Sequence, residues 1–289
     1  MTYNMLYRHI VDLLKKAGCE APAFDALCLF EYKLNMTRHN LIIDGDKTPP
    51  TNMVKEIIAL AEKRAEGYPL QYIVEKWSFM DWEFYVGDGV LIPREDTSVV
   101  VQLCIDNANK YLNTDNLNII DLCAGSGAIS IALGKTFPNS NVTALELSHK
   151  AMKFLEKNIP HNNCTNVTPV NGDVFTDYSN YAIEEFDIII SNPPYIITDE
   201  IPKLQKEVQH EPALALDGGE DGYNFYREII NNWSKTLKKG GLLVFELGED
   251  QFDTVKQLME EIGFTNISCG YDIQNIQRGI CGVKTDGVQ

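Results

Sequence analysis

From residue 117 onward, short apolar runs alternate with helical stretches, and this alternation limits the fold more than any other feature of the chain. The runs cover 117–122, 142–147, 167–170, 186–190 and 242–247. Strand-length runs separated by helical spacing imply βαβ units, and hence a largely parallel, doubly wound sheet. Two further segments, 265–269 and 279–283, also read as strands. The expected class is therefore α/β, a Rossmann-like and mostly parallel sheet of seven strands. Sheets of this kind bind ligands beyond the carboxyl ends of their strands, where the strand order reverses.

Upstream, the periodicity is different. Residues 1–75 read as helices. Leu6, Ile10, Leu13 and Leu14 share one face of a first helix that Gly18 ends. Phe24, Leu27, Phe30 and Leu34 form a second stripe behind Pro22, and Val54, Ile57, Ile58 and Ala61 a third that ends near Gly67. No catalytic constellation falls here, so the region reads as a helical cap or partner-docking module, or as a structural element only. Between 72 and 92 the period becomes two: Trp82, Phe84 and Val86 alternate with polar positions, and Gly87-Asp88-Gly89 supplies a turn. A helix then carries Val99, Val100, Leu103 and Cys104, with Asp96 or Thr97 as its cap. The expected organisation is a helical domain over 1–75, a β-hairpin linker over 76–95 and a catalytic domain over 96–289.

Composition narrows the function classes. At 289 residues, 44% hydrophobic and 23% charged, the chain is an ordinary globular sequence. Its apolar runs are far shorter than the ~20 residues that span a bilayer. Seven cysteines without a Cys-x-x-Cys pair, and an N-terminus without a signal-peptide pattern, suit a cytoplasmic protein with reduced thiols. Five histidines form no His-x-x-x-His, so no metal site is expected. A net charge of −16 without basic clusters opposes nucleic-acid binding, and suits a basic protein partner or simple solubility.

The chemistry lies at the strand ends. Asp121-Leu122-Cys123-Ala124-Gly125-Ser126-Gly127 follows a strand and opens a helix, the context a ligand-binding glycine turn requires. The dinucleotide fingerprint asks for a third Gly or Ala at a position held by Ser130, so a dinucleotide fits poorly. Asp121 instead suits a ligand carrying an ammonium group, unless it only braces the loop. Glu146 ends the next strand about 20 residues past the glycines, where a carboxylate grips ribose hydroxyls. Asp173 and Val174 end the third strand, an acidic residue and an apolar one placed to bind and sandwich an adenine.

Asn192-Pro193-Pro194-Tyr195 ends the fourth strand. Pro193 fixes its own φ, and Pro194 restricts Pro193 to extended conformations, so the corner is stiff. The Asn192 side-chain carbonyl and the Pro193 backbone carbonyl can each accept one hydrogen of a planar NH2 group, while Tyr195 offers a stacking face. Ribose, adenine, a charged amino-acid portion and an NH2-holding turn together describe S-adenosylmethionine poised over a nitrogen nucleophile.

These residues resemble one family, the release-factor protein-(glutamine-N5) methyltransferases of the HemK/PrmC group. The resemblance spans nearly all of 64–282: Arg64 through Ile73, Val90-Leu91-Ile92-Pro93-Arg94, Asp121 through Gly127, Ser191 through Ile196, Glu211 through Leu216, Gly218 through Gly222, Tyr226-Arg227 and Glu246-Leu247-Gly248. It implies methyl transfer to the glutamine of a Gly-Gly-Gln tripeptide in class 1 peptide-chain release factors. Cys123 through Gly127, Glu146, Val174 and Asn192 would contact the cofactor, Asn192 through Tyr195 the substrate, and the helical domain would help dock the release factor. The enzyme would leave S-adenosylhomocysteine as product and act as a monomer without metal. Three departures stand out. Cys123-Ala124 replaces Gly-Thr, Glu146 replaces Asp, and Val174 stands where some members carry an aromatic. Glu95-Asp96 likewise replaces the usual Pro-Glu. Two other readings remain open: an N-methyltransferase acting on adenine or guanine amino groups in nucleic acid, and a non-catalytic domain that keeps the pocket.

Overall fold

A computed structural model describes residues 1–285 and divides the chain into two compact units, 1–76 together with 205–210, and 77–204 together with 211 onward. In the first unit, α1 (Tyr3–Lys16) starts at Thr2, whose hydroxyl accepts from the Met5 amide, and stops just before Gly18 at φ +83°. It packs with α2 (Pro22–Leu34), α3 (Arg38–Asp44) and α4 (Thr51–Ala65), and α5 (Leu70–Val74) packs on α2 and α4. Leu6, Ile10, Leu14, Leu29, Phe30 and Ile57 are fully enclosed.

Two expectations for this unit need correction. The buried face of α2 holds Asp25, Ala26, Leu29 and Phe30, while Phe24 is 52% exposed. The helix is turned because Asp25 is buried against Arg64 at 2.8 Å, and Arg64 in turn reaches Glu207 at 2.6 Å. A buried charge must be paired, and that requirement outweighs one more apolar side chain. The second correction concerns α3, which the apolar stripes did not reveal. A reciprocal Thr37–Asn40 capping box starts it, and Ile42 and Ile43 face outward.

Next along the chain, β1 (Lys76–Phe79) and β2 (Trp82–Tyr85) form their own two-stranded sheet, and the second unit starts within β1 at Trp77. The turn falls at Met80-Asp81, with Met80 at φ +50°, and Gly87-Asp88-Gly89 lies beyond the second strand. Tyr72 to Val74, at the edge of the period-two stretch, are helical. In α6 (Glu95–Tyr111), neither Asp96 nor Thr97 caps the helix; Arg94 occupies that position, and Thr97 is buried inside the first turn.

The large sheet is built from β3 (Asn118–Leu122), β4 (Asn141–Glu146), β5 (Val167–Asn171), β6 (Phe186–Ser191), β7 (Leu237–Glu246), β8 (Phe264–Tyr271) and β9 (Gln277–Lys284). Its order is β5-β4-β3-β6-β7-β9-β8, with β3 to β7 parallel and β9 antiparallel to both neighbours. The seven-stranded, mostly parallel α/β expectation therefore holds. Between the strands run α7 (Ala128–Thr136), α8 (His149–His161), α9 (Asn224–Asn231) and α10 (Phe252–Glu261). Ile119, Ile120, Ile188, Ile189, Leu242 and Leu243 are wholly buried, each worth roughly 1.5–3 kcal/mol of transfer energy. Pro169, which lacks an N–H, lies in β5 at the sheet's edge, where the ladder tolerates it. The order runs outward from β3 to β5 on one side and restarts at β6 on the other. That reversal sets the crevice at the carboxyl ends of β3, β4 and β6.

Candidate active site

A cavity of about 300 Å³ lies at those strand ends, within the size range of small-molecule sites. Its floor is the turn after β3. Ala124 N–H donates to the Leu145 carbonyl, and Gly127 N–H to the Ala124 carbonyl. The two glycines have different tasks. At Gly125 (φ +57°) a Cβ would meet nothing within 4 Å, so the backbone lies open. At Gly127 (φ +86°) a Cβ would come within 2.6 Å of Leu155, so its absence lets the helix pack. Cys123, also left-handed at φ +63°, is a non-glycine residue in a conformation that favours glycine. Burial pushes its thiol well above the usual range, which leaves it uncharged.

Glu146 lines the cavity from the end of β4. Its Oε2 accepts from Gly125 N–H at 2.8 Å and its Oε1 from Ser148 N–H at 2.6 Å. Burial raises its pKa, and these two amides oppose the rise. Asp173 and Val174 also line the cavity, and Asp173 Oδ1 accepts from the Phe175 amide at 2.9 Å. Sequence reasoning missed the aromatic wall beside them. Phe175 and Phe225 both line the cavity in an edge-on pair with centroids 4.9 Å apart. The aromatic surface lacking at Val174 is thus present one residue later and on α9. Phe175 was legible as a neighbour; Phe225, some fifty residues away, gave no local signal. Arg94 also lines the cavity, paired with the buried Glu211, which takes the Ile92 amide at 3.1 Å.

Asp121 is placed differently from the sequence expectation. It is buried but does not line the cavity. Ser130 on α7 donates to its Oδ2 at 2.5 Å, and its Oδ1 has no partner. On a central strand, this side chain faces the covering helix. Burial pushes its pKa up to about 7. Ser126 and Ala124 line the cavity; Gly127 supports it from behind.

At the end of β6, Asn192 and Pro194 line the cavity, whereas Pro193 and Tyr195 do not. Tyr195 directs its hydroxyl to Glu246 Oε1 at 3.3 Å, so the corner uses it as a donor, in place of the cavity-lining stacking face read from the sequence. Asn192 Nδ2 donates to Thr97 Oγ1 at 3.3 Å, and Thr97 Oγ1 donates to Glu246 Oε2 at 2.6 Å. By sequence, Thr97 reads only as a helix cap and Glu246 only as part of a family-like motif, and neither is linked to Asn192, because they lie 95 residues before and 54 after it.

An open glycine backbone, a buried carboxylate held by two backbone amides, aromatic and apolar walls and an asparagine corner together line this cavity. Fold and site together define an S-adenosylmethionine-dependent methyltransferase. The chain matches the Methyltransferase small domain over residues 99–217 and the PrmC N-terminal domain over residues 5–74. It is 41% identical to a release factor glutamine methyltransferase of Thermodesulfovibrio yellowstonii, over 77% of this chain and 78% of that one. It is 35% identical to the Clostridium acetobutylicum protein of the same name, over 94% and 95%. The hMettl16 catalytic domain, solved with the MAT2A 3'UTR hairpin 6, shares the fold at a TM-score of 0.56 and 14% identity, covering 83% of this chain and 84% of that one. The chain belongs to the release factor glutamine methyltransferase family. Among the described residues, no helix is long and apolar enough to cross a membrane, and no group of three His, Cys, Asp or Glu is placed to hold a metal.

Proposed function

We propose that this protein transfers a methyl group from S-adenosylmethionine to the side-chain amide nitrogen of the glutamine in the Gly-Gly-Gln tripeptide of class 1 release factors. One observation carries the reading: Asn192 borders the cavity with its Nδ2 committed to Thr97, which leaves Oδ1 to accept an incoming NH2 hydrogen. An amide nitrogen is a poor nucleophile because its lone pair is delocalised. Asn192 Oδ1 and the Pro193 carbonyl, each accepting one hydrogen, polarise it and fix its approach. The cofactor supplies an electrophilic methyl on a sulfonium and leaves as S-adenosylhomocysteine. As the new N–C bond forms and the methyl–sulfur bond breaks, the nitrogen gives up one proton to solvent water. Orientation and preplaced dipoles carry most of the rate.

The remaining residues hold the reactants. Glu146 accepts from the ribose hydroxyls, Asp173, Val174, Phe175 and Phe225 enclose the base, and the open backbone from Cys123 to Ser126 lies along the amino-acid portion. Asp121 acts by fixing the loop to α7. The helical unit docks the release factor, and the protein works as a cytoplasmic monomer without metal. The test uses labelled S-adenosylmethionine with a class 1 release factor, its Gln-to-Ala variant, or bulk RNA. Label on the first alone is expected. Label on RNA and on neither protein overturns the reading in favour of a nucleic-acid amino-methyltransferase, and no transfer at all favours a binding domain.

A further inference from the structure

Glu246 ends β7 and is 2% exposed. It does not line the cavity, and the methyl-transfer chemistry above makes no use of it. Yet two hydroxyls aim at it, Thr97 at Oε2 and Tyr195 at Oε1, and each hydroxyl has a single hydrogen to give. With its hydrogen directed at Glu246, Thr97 can only accept from Asn192, and the Asn192 amide must therefore turn Nδ2 toward it. We propose that Glu246 is a positioning residue for methyl transfer: through Thr97 its carboxylate holds the Asn192 carboxamide with Oδ1 facing the substrate nitrogen. This rests on the glutamine-methylating reading of the site.

The charge of Glu246 decides the polarity of the chain. An ionised carboxylate is acceptor-only and takes a hydrogen from both hydroxyls at once. Protonation converts one oxygen to a donor and frees a hydroxyl to reverse; a reversed Thr97 donates toward Asn192 and attracts Oδ1. The cavity then receives Nδ2, a donor facing the donor hydrogens of the substrate. Burial first, and then Asp96, raise the Glu246 pKa to about 7, while hydrogen bonds from Thr97 and Tyr195 and the nearby Asn192 amide oppose the rise. Other groups surround it. On α6, Asp96 is paired with Arg278 of β9 at 3.1 Å, and Arg278 also binds Asp272 at 2.9 Å. On α9, the Tyr226 hydroxyl donates to the Glu246 main-chain oxygen at 2.9 Å. Arg94 and Arg278 act on Tyr195. None of these offers Glu246 a cationic hydrogen bond among the described residues.

The test compares wild type, Thr97→Val, Thr97→Ser and Glu246→Gln over about two pH units on either side of neutrality. At saturating cofactor, wild-type kcat should rise with pH through about 7. Asp121 titrates in the same range, so the diagnostic is the difference between wild type and Glu246→Gln, which should lose one titrating limb. Thr97→Val should lower kcat about tenfold, the equivalent of one hydrogen bond, with the cofactor KM unchanged, and Thr97→Ser should restore it. A second measurement needs no substrate. The side-chain amide resonance of Asn192, identified by its loss in Asn192→Ala, should shift with pH in wild type and stay fixed in Glu246→Gln. Wild-type kcat in Thr97→Val, or an Asn192 resonance indifferent to pH, overturns the proposal. If wild type methylates no release factor, the glutamine reading fails, and the resonance still decides whether Glu246 orients Asn192.

Discussion

Two glutamates, Glu146 at the end of β4 and Glu246 at the end of β7, are both buried at strand ends of one sheet, with β3 and β6 between their strands, and are held by opposite means. Glu146 accepts from the backbone amides of Gly125 and Ser148. Glu246 accepts from the hydroxyls of Thr97 and Tyr195. A backbone amide is always a donor and cannot turn, so the charge on Glu146 is satisfied in one fixed geometry. A hydroxyl is donor and acceptor and rotates, so the state of Glu246 determines which way its partners point. The contrast teaches that identical side chains at strand ends of one sheet can be held by donors that cannot reverse in one case and by donors that can in the other. Their donors, not the carboxylates, make the difference.

The largest effect that could break this comparison is on chemistry. Asn192→Ala removes the dipole that Glu246 is held to orient, and kcat should fall about 10²–10³-fold, as on removing an oxyanion-hole donor. Calorimetric cofactor affinity should change far less; near-wild-type turnover would remove the reason for an anchored corner. Next comes the pH dependence of stability. Glu246 and Asp121 are both pushed up to about 7 from ordinary carboxylate values. The folded state therefore holds these protons longer than the unfolded chain, and stability should be lost as pH rises from about 4 to 7 and level off above. Glu246 accounts for about 3 kcal/mol of that loss and Asp121 for about 4 kcal/mol. Denaturant titrations of the cofactor-free protein should show the slope, and Glu246→Gln should flatten part of it. A slope unaffected by Glu246→Gln contradicts the burial of that carboxylate without a cationic partner.

Glu146→Ala sharpens the comparison from the other side. It should weaken cofactor binding by about 1.5–3 kcal/mol, one charge-assisted hydrogen bond, and slow the bound complex much less. A variant with normal affinity and poor turnover would exchange the roles of the two glutamates. The smallest effect concerns the loop that donates to Glu146. Because Cys123 sits at φ +63°, Cys123→Gly should be more stable than Cys123→Ala by about 1 kcal/mol in thermal denaturation.

Much of the fold was legible because its signals are local. The strand runs, the glycine turn and the proline-locked corner each announce themselves within a few residues, and Ile188 to Ile190 could hardly lie anywhere but a buried sheet. The misread pieces depended on distant partners. The hairpin turn moved to Met80-Asp81 although Gly87-Asp88-Gly89 has the stronger turn chemistry, and the α2 face rotated to bury Asp25 against Arg64. Glu146 and Asn192 were visible as strand-end residues next to recognisable motifs. Thr97 and Phe225 were not, and Glu246 was visible in its strand without its link to Asn192, because no local pattern distinguishes a helix-capping threonine from one that anchors an asparagine.

The sequence alone determined the class of sheet, the strand ends at which a ligand binds, and the stiff Asn-Pro-Pro-Tyr corner, since periodicity and proline geometry act over a few bonds. Tertiary structure alone decided that Asp121 braces α7 away from the cavity, that Tyr195 donates to a carboxylate, and that Thr97 and Glu246 fix the way Asn192 faces. Hydrogen-bond direction is a property of partners brought together across the fold, and residues 97, 192 and 246 meet only when α6, β6 and β7 have packed.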